Sequence, residues 1–155
     1  MKTKMTITEL NHEDLVNLLS TATFGSSWLA CRSASGVRDK LDIQPDDCRE
    51  DVWAKALLAG YPIYMVDYNA EGCVYGDKGS VDKTDEAEPG IYRITLEDIK
   101  AGLQSAMDGD FAPNDEEEVA AAARCVLHLR DEAYDFDNTE AECLMQIIMF
   151  GTLVY

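Results

Sequence analysis

The sequence contains few basic residues, with 13 Lys and Arg against 30 Asp and Glu in 155 residues, and its formal net charge at pH 7 is −17. A field of this sign repels phosphate backbones, and no basic stripe along the chain offsets it. We therefore expect no direct contact with DNA or RNA. A basic protein is the kind of partner that such a charge attracts.

Long apolar runs are also missing from the sequence. No stretch reaches the ~20 apolar residues that a membrane span requires. The N-terminal segment MKTKMTITELN has no apolar run behind its lysines, as a signal peptide would have. These absences predict a cytoplasmic protein that makes no contact with a membrane.

The cysteines are odd in number, scattered and never spaced C-x-x-C. This pattern favours free thiols in a reducing compartment over disulfides or a zinc site. The five positions are Cys31, Cys48, Cys73, Cys125 and Cys143.

Catalytic motifs are absent as well: no G-x-S-x-G, P-loop, G-x-G-x-x-G or H-E-x-x-H string occurs. The two histidines, His12 and His128, lie near predicted helix ends, where we expect structural roles. We predict a non-enzymatic protein with no catalytic residue, no cofactor and no assigned metal ligand.

A metal-dependent enzyme of an unrecognised type is the alternative hypothesis. Alternating acids resemble the opening of a calcium loop, but Glu140 replaces the sixth-position glycine and Gln146 the twelfth-position glutamate. Helix capping is the interpretation of the same acids that we favour. If the protein is such a metal-dependent enzyme, its metal ligands would be Asp108, Asp110, Asp135 and Asp137.

Hydrophobic periodicity and capping signals predict one α+β domain over residues 1–155, with a small antiparallel sheet flanked by four to five helices. Strands 61–68 and 91–94 pair antiparallel around a charged, glycine-rich hairpin loop at 76–90, which we expect to be mobile. Further strands are predicted at 27–32 and 152–155. The helices are predicted at 12–24, from Pro45 to Gly60, from Thr95 to Met107, from Asn114 to about 128, and at 139–150.

Two segments at opposite ends of the chain share a helix-Phe-Gly-strand pattern, which predicts an internal pseudo-repeat. Asn11 to Leu29 and Asp137 to Tyr155 align on Phe24-Gly25 and Phe150-Gly151. The glycine ends the helix in a left-handed conformation, and the Phe is expected to seal the last turn against the core. Convergence on a common helix-stop device is the equally weighted alternative.

Acidic residues are concentrated between Asp108 and Glu142: this stretch contains twelve carboxylates, and its only Lys or Arg residues are Arg124 and Arg130. If the fourth and fifth helices pack antiparallel, these acids cover an elongated surface that resembles rows of phosphates in its electrostatic outline. The alternative is that the charge serves solubility. The candidate partner-binding residues are Asp115, Glu116, Glu117, Glu118, Asp131, Glu132, Asp135 and Asp137.

Four tyrosines provide a second candidate surface: Tyr64, Tyr68, Tyr75 and Tyr92. An outward-facing hairpin would present them for recognition. Covering by a helix is the interpretation that we favour.

The helix-aromatic-Gly unit near the start, the TLEDIKAGL helix from Thr95 to Leu103 and the terminal FGTLVY resemble small acidic proteins of prophages and mobile elements in gut bacteria. That group has no assigned function, so the resemblance implies no site residue. It favours a counter-defence role, such as mimicry of nucleic acid toward a basic nucleic-acid-binding protein. A structural or assembly component, including a homo-oligomer, is the remaining hypothesis.

Overall fold

The computed structural model describes residues 9–73, 80–82, 88–111, 116–131 and 136–153. These residues form five α-helices, one short 3-10 helix and a three-stranded sheet, so the predicted α+β class is confirmed. In chain order the elements are α1 (His12–Thr23), β1 (Leu29–Ser33), a 3-10 helix (Val37–Lys40), α2 (Arg49–Leu58), β2 (Ile63–Asp67), β3 (Ile91–Ile94), α3 (Leu96–Asp108), α4 (Glu116–Leu129) and α5 (Asn138–Phe150).

The sheet has the order β1-β2-β3, and both neighbouring pairs are antiparallel, as predicted for β2 and β3. All five residues of the central strand β2 are buried, which explains its dense apolar sequence. Ile63 and Met65 belong to the main hydrophobic core. The sheet therefore turns one face toward the helices.

Local capping signals set the start of several helices. Asn11 accepts a hydrogen bond from the Asp14 backbone N–H at 2.8 Å, and Thr95 accepts one from the Asp98 N–H at 3.2 Å. Each acid in turn accepts from the backbone N–H of its cap residue, which completes a capping box. These two starts are as predicted from the sequence.

Helix α2 begins at Arg49, and the predicted start at Pro45 is therefore wrong. Residues 45–47 form a turn, which is closed by a hydrogen bond from the Asp47 N–H to the Gln44 carbonyl at 3.1 Å. Cys48 is the N-cap, and its backbone N–H donates to Asp51 Oδ2 at 3.1 Å. Proline followed by acids favours a turn as well as a helix start, and the turn forms here.

Helix α5 lies at the centre of the helical layer, as its apolar sequence predicts. It packs against α1, α3 and α4. Leu144 and Met145 are fully buried. Gly102 of α3 faces Ile148 so closely that an added Cβ would lie 2.4 Å from Ile148 Cγ1 and 2.8 Å from its Cα. The absence of a side chain at Gly102 therefore sets the close approach of α3 to α5.

The predicted pseudo-repeat is reproduced at its glycines but not at its phenylalanines. Gly25 has φ of 72° and Gly151 of 70°, so both adopt the left-handed conformation after a helix. Phe24, however, is 85% exposed and does not seal the last turn of α1. It occupies an extended C-cap position, whereas Phe150 is the last helical residue and packs edge-on against Tyr92 with ring centroids 5.2 Å apart. Residues 154 and 155 lie outside the described residues, so the terminal strand stays a prediction.

The connection between β2 and β3 is anchored to the rest of the fold near its middle. Its segments 74–79 and 83–87, on which most of the predicted hairpin loop falls, lie outside the described residues. Val81 is 2% exposed and forms a parallel bridge with Ala34. The Val81 N–H donates to the Ser33 carbonyl at 2.9 Å, and the Ser35 N–H donates to the Val81 carbonyl at 3.0 Å. This part of the connection therefore extends the β1 edge of the sheet.

Among the helices of the described residues, none has the length and apolar character needed to cross a membrane.

Candidate functional site

Helices α4 and α5 form an antiparallel pair that carries the acidic residues singled out in the sequence. His128 of α4 contacts Glu140 of α5 through its Nδ1 atom, and one turn away Cys125 hydrogen-bonds with Cys143. Residue numbers rise on one helix as they fall on the other, which fixes the antiparallel arrangement. Asp137 caps α5 by accepting from the Glu140 backbone N–H at 2.8 Å.

The acidic residues lie at the two ends of this pair. Glu116 and Glu117 are exposed in the first turn of α4, while Asp131 and Asp137 are exposed beyond its other end. Since α4 has 14 residues, its two ends are about 20 Å apart at 1.5 Å per residue. We refer to Glu116, Glu117, Asp131 and Asp137 as the acidic surface. Asp115, Glu132 and Asp135, which were predicted to belong to it, lie outside the described residues.

Glu118 differs from its two neighbours. Its side chain is half-buried, and its Oε2 atom is inaccessible to solvent. Glu118 therefore contributes less to the exposed charge than its place in the sequence predicts. Removing or reversing this carboxylate would perturb the packing of α4 as well as the surface.

Two further acids of the region serve the packing of the fold. Glu142 Oε1 accepts hydrogen bonds from Trp28 Nε1 at 3.1 Å and from Ser26 Oγ at 3.4 Å, which ties α5 to the chain just before β1. Glu140 contacts His128. No local pattern indicated the contact between Trp28 and Glu142, because the two residues are 114 positions apart. The exposed charge is thus divided between the ends of the helix pair.

The cysteines of this pair influence each other. The hydrogen bond between them raises the pKa of Cys125 and lowers the pKa of Cys143. Both are free, as are Cys31, Cys48 and Cys73. Cys125 is buried, and Cys143 is half-buried. The two thiols therefore contact each other inside the α4–α5 interface.

His12 is paired with a carboxylate on another helix. Its Nε2 lies 2.8 Å from Asp51 Oδ1. This hydrogen bond, followed by those from the Cys48 thiol and backbone N–H, lowers the pKa of Asp51 to about 2. The contact joins α1 to the start of α2. The two residues are 39 positions apart in the sequence, and no local pattern indicated their contact.

The aspartates of the metal hypothesis do not form a cluster that is recognisable in the described residues. Asp108 accepts a hydrogen bond from Gln104 Nε2 at 3.1 Å, and Asp137 caps α5. Asp135 lies outside the described residues. Across 9–73, 80–82, 88–111, 116–131 and 136–153, no group of three or more His, Cys, Asp or Glu side chains is placed to hold a metal ion.

The tyrosines do not share one surface. Tyr64 is 3% exposed, so burial is confirmed for this residue. Tyr92 is paired with Met65, whereas Tyr64 is paired with Arg93. Cross-strand partners lie on the same face of a sheet, so Tyr64 and Tyr92 lie on opposite faces. Tyr68 accepts a hydrogen bond from Arg32 Nη2 at 3.1 Å, and Tyr75 lies outside the described residues.

Comparison with known proteins gives no relative: no family model matches the chain, and neither a curated protein nor a solved structure matches it significantly.

Proposed function

We propose that this is a non-enzymatic interaction protein of the cytoplasm, which binds a basic protein through the acidic surface. The partner would be a nucleic-acid-binding protein whose cationic site the carboxylates occupy in place of phosphates. An origin in a prophage or mobile element is part of the proposal and is supported by the sequence resemblance alone.

The observation that supports this function best is the position of the exposed carboxylates. Glu116 and Glu117 at one end of α4, and Asp137 at the start of α5, project from a helix pair whose interface is buried. A rigid support keeps such charges about 20 Å apart without a further loss of conformational entropy on binding. Two separated negative groups fit an elongated cationic surface better than a single cationic point.

The net charge of −17 adds a long-range contribution to the same interaction. Charge complementarity raises the rate of encounter and depends steeply on ionic strength, because salt screens charges over about 10 Å at 0.1 M. We therefore expect capture of the partner to be strong at low salt and weak at moderate salt.

The test is affinity capture from a lysate with mass spectrometry, using wild-type protein and the double variant Glu116→Lys/Glu117→Lys. Both positions are exposed, so the variant keeps the fold. Glu118 is left unchanged because its Oε2 is buried. The expected result is that a basic nucleic-acid-binding protein is recovered by the wild type at low salt and lost by the variant.

The matched control is Asp46→Lys/Glu71→Lys, which makes the same change in net charge at two exposed positions away from α4 and α5. It should retain the partner. Equal loss in both variants would contradict a role for the acidic surface and indicate a general effect of charge. Recovery of the chain alone, as a stable homo-oligomer, would favour the assembly hypothesis.

A further inference from the structure

A cavity of about 350 Å³ lies between β1, the 3-10 helix and α2, and none of these elements supplies a residue of the acidic surface. Its lining residues are Cys31, Arg32, Ser33, Arg38, Arg49, Val52, Trp53 and Ser80. Cys31, Val52 and Trp53 are almost fully buried and form its floor. Arg38, Arg49 and Ser80 are exposed and form its rim.

Three of the chain's 13 basic residues line this one cavity. Arg32 is held in place by hydrogen bonds from Nη1 to the Cys31 carbonyl at 3.0 Å and from Nη2 to the Tyr68 hydroxyl at 3.1 Å. The Arg49 guanidinium lies over the Trp53 ring, 5.9 Å from its centroid. Two of the three cations are therefore positioned by the fold before any ligand arrives.

The arginines at the rim are not neutralised by the acids that surround them. Elsewhere Lys55 pairs with Asp47, Lys100 with Glu97 and Arg130 with Asp14. In the part of the chain that the structure describes, Arg38 and Arg49 form no salt bridge. In a chain with 30 carboxylates, guanidinium groups that face a cavity without a carboxylate partner are unexpected for a purely solubilising surface.

The floor of the cavity does not supply a counter-ion either. Burial raises the pKa of the Cys31 thiol well above its ordinary value, although the positive charges of Arg32 and Arg49 act in the opposite direction. The thiol is neutral at physiological pH. Glu50 is a nearby acid that also raises this pKa, so the thiol lies near the positive charges of Arg32 and Arg49 and the negative charge of Glu50.

We propose that this arginine pocket binds the phosphate group of a small phosphate monoester. Guanidinium groups bind phosphate oxygens through paired, charge-assisted hydrogen bonds, and a dianion requires more than one of them. The hydroxyls of Ser33 and Ser80 add donors at the wall and rim. The volume is at the lower end of the range for small-molecule sites, which fits a compact ligand. The site is separate from the acidic surface and does not depend on the function proposed for it.

The test is calorimetric titration of the full chain with phenyl phosphate, inorganic phosphate and a phosphoserine peptide in 0.15 M salt, which screens the net negative charge beyond about 8 Å. We expect saturable binding of phenyl phosphate, weaker binding of inorganic phosphate, and loss of affinity below pH 6 as the dianion gains a proton. In NMR spectra, the Nε–Hε signals of Arg38 and Arg49 should shift on binding.

The variant Arg38→Gln/Arg49→Gln should weaken binding of phenyl phosphate at least tenfold. Both residues are exposed, so the fold is retained. The matched control, Arg93→Gln/Arg124→Gln, removes two exposed arginines that lie outside the cavity lining and should bind like the wild type. Equal weakening in the two variants would overturn the proposal, and so would the absence of saturable binding up to about 10 mM. Binding confined to the phosphopeptide would overturn the assignment to a small molecule.

Discussion

Phe24 and Phe150 occupy equivalent places in the sequence but different environments in the fold. Phe24 is 85% exposed, while Phe150 is half-buried and packs against Tyr92. The aromatic ring of Phe24 therefore contributes little to the hydrophobic stabilisation of the domain. Sequence similarity between the two helix ends reflects the shared glycine stop and not a shared packing role.

We predict that Phe24→Ala changes the free energy of unfolding by less than about 0.5 kcal/mol, whereas Phe150→Ala lowers it by about 2 kcal/mol. The difference arises because only Phe150 leaves a gap in packed surroundings. Urea unfolding followed by circular dichroism measures both values. Equal costs for the two variants would contradict the environments described above.

Asp51 links two helices and carries a shifted ionisation. Its folded-state pKa of about 2 lies below the ordinary value of 3.8, so its carboxylate stabilises the fold above pH 3.8, and this contribution is lost as the pH falls toward 2. The same carboxylate has a second structural role: it accepts a hydrogen bond from the Cys48 N–H and so supports the start of α2.

The variant Asp51→Asn should therefore be less stable than the wild type by about 1 kcal/mol at pH 6, because it weakens both the helix start and the His12 contact. The difference should shrink as the pH is lowered below 4. Urea unfolding at pH 6, 4 and 3 tests this. Asp46→Asn, at an exposed position before the helix, is the control and should show no such trend. A cost for Asp51→Asn that is constant with pH would rule out the ionised carboxylate as its cause.

At the level of elements, the contact between α3 and α5 depends on a single missing side chain. Alanine at an exposed helix position is favoured over glycine by about 1 kcal/mol. At Gly102 the new Cβ would meet the Ile148 backbone at 2.8 Å, which a rotamer change cannot relieve. Steric conflict therefore outweighs the gain in helix propensity.

We predict that Gly102→Ala destabilises the domain by about 1–3 kcal/mol, the usual range for overpacking. Ala101→Gly, at the adjacent exposed position, isolates the propensity effect and should cost about 1 kcal/mol. Both are measured by chemical unfolding. A stabilised Gly102→Ala variant would mean that α3 and α5 can separate without loss.

The elements that could be predicted from the sequence are those specified by short-range patterns. The capping boxes at Asn11 and Thr95 involve residues three positions apart, and both helix starts are correct. The predicted start of α2 is wrong because Pro45 opens a turn. The N-cap of the helix is Cys48, and cysteine is outside the usual set of N-cap residues.

Contacts between residues far apart in the sequence could not be predicted from short-range patterns. Placement of Tyr92 opposite Met65 depends on strand register, and the Trp28–Glu142 contact depends on how α5 meets the segment before β1. For the candidate site, the antiparallel helix pair and the charged ends were predictable, but the structural use of Glu118, Glu140 and Glu142 was not. The arginine pocket combines residues from three elements, so no spacing in the sequence indicates it.

At the scale of the whole molecule, the net charge of −17 opposes compaction. Carboxylates repel one another over a Debye length of about 30 Å in 0.01 M salt and about 10 Å in 0.1 M salt. Folding brings them closer together than in the extended chain, so this repulsion reduces stability.

We therefore predict that the melting temperature rises by several degrees between 0.01 M and 0.1 M NaCl, which corresponds to about 1–2 kcal/mol for a chain of this size. Differential scanning calorimetry measures the shift. The Glu116→Lys/Glu117→Lys variant should show a smaller shift because its net charge is lower. A melting temperature that falls with salt would instead indicate that ion pairs such as Lys55–Asp47 outweigh the repulsion.

The packing of α1 against α5 has a consequence for how the protein is made. The buried face of α1, with Leu15, Leu18 and Leu19, rests in a core that α5 completes from the far end of the chain. Ribosomes add roughly 5–20 residues per second, so α1 waits on the order of 10 s for α5, whereas α2, which also packs against α1, is made much sooner. During that interval the part of α1 that α5 covers is open to chaperones and proteases, and the domain is completed only after synthesis has passed α5.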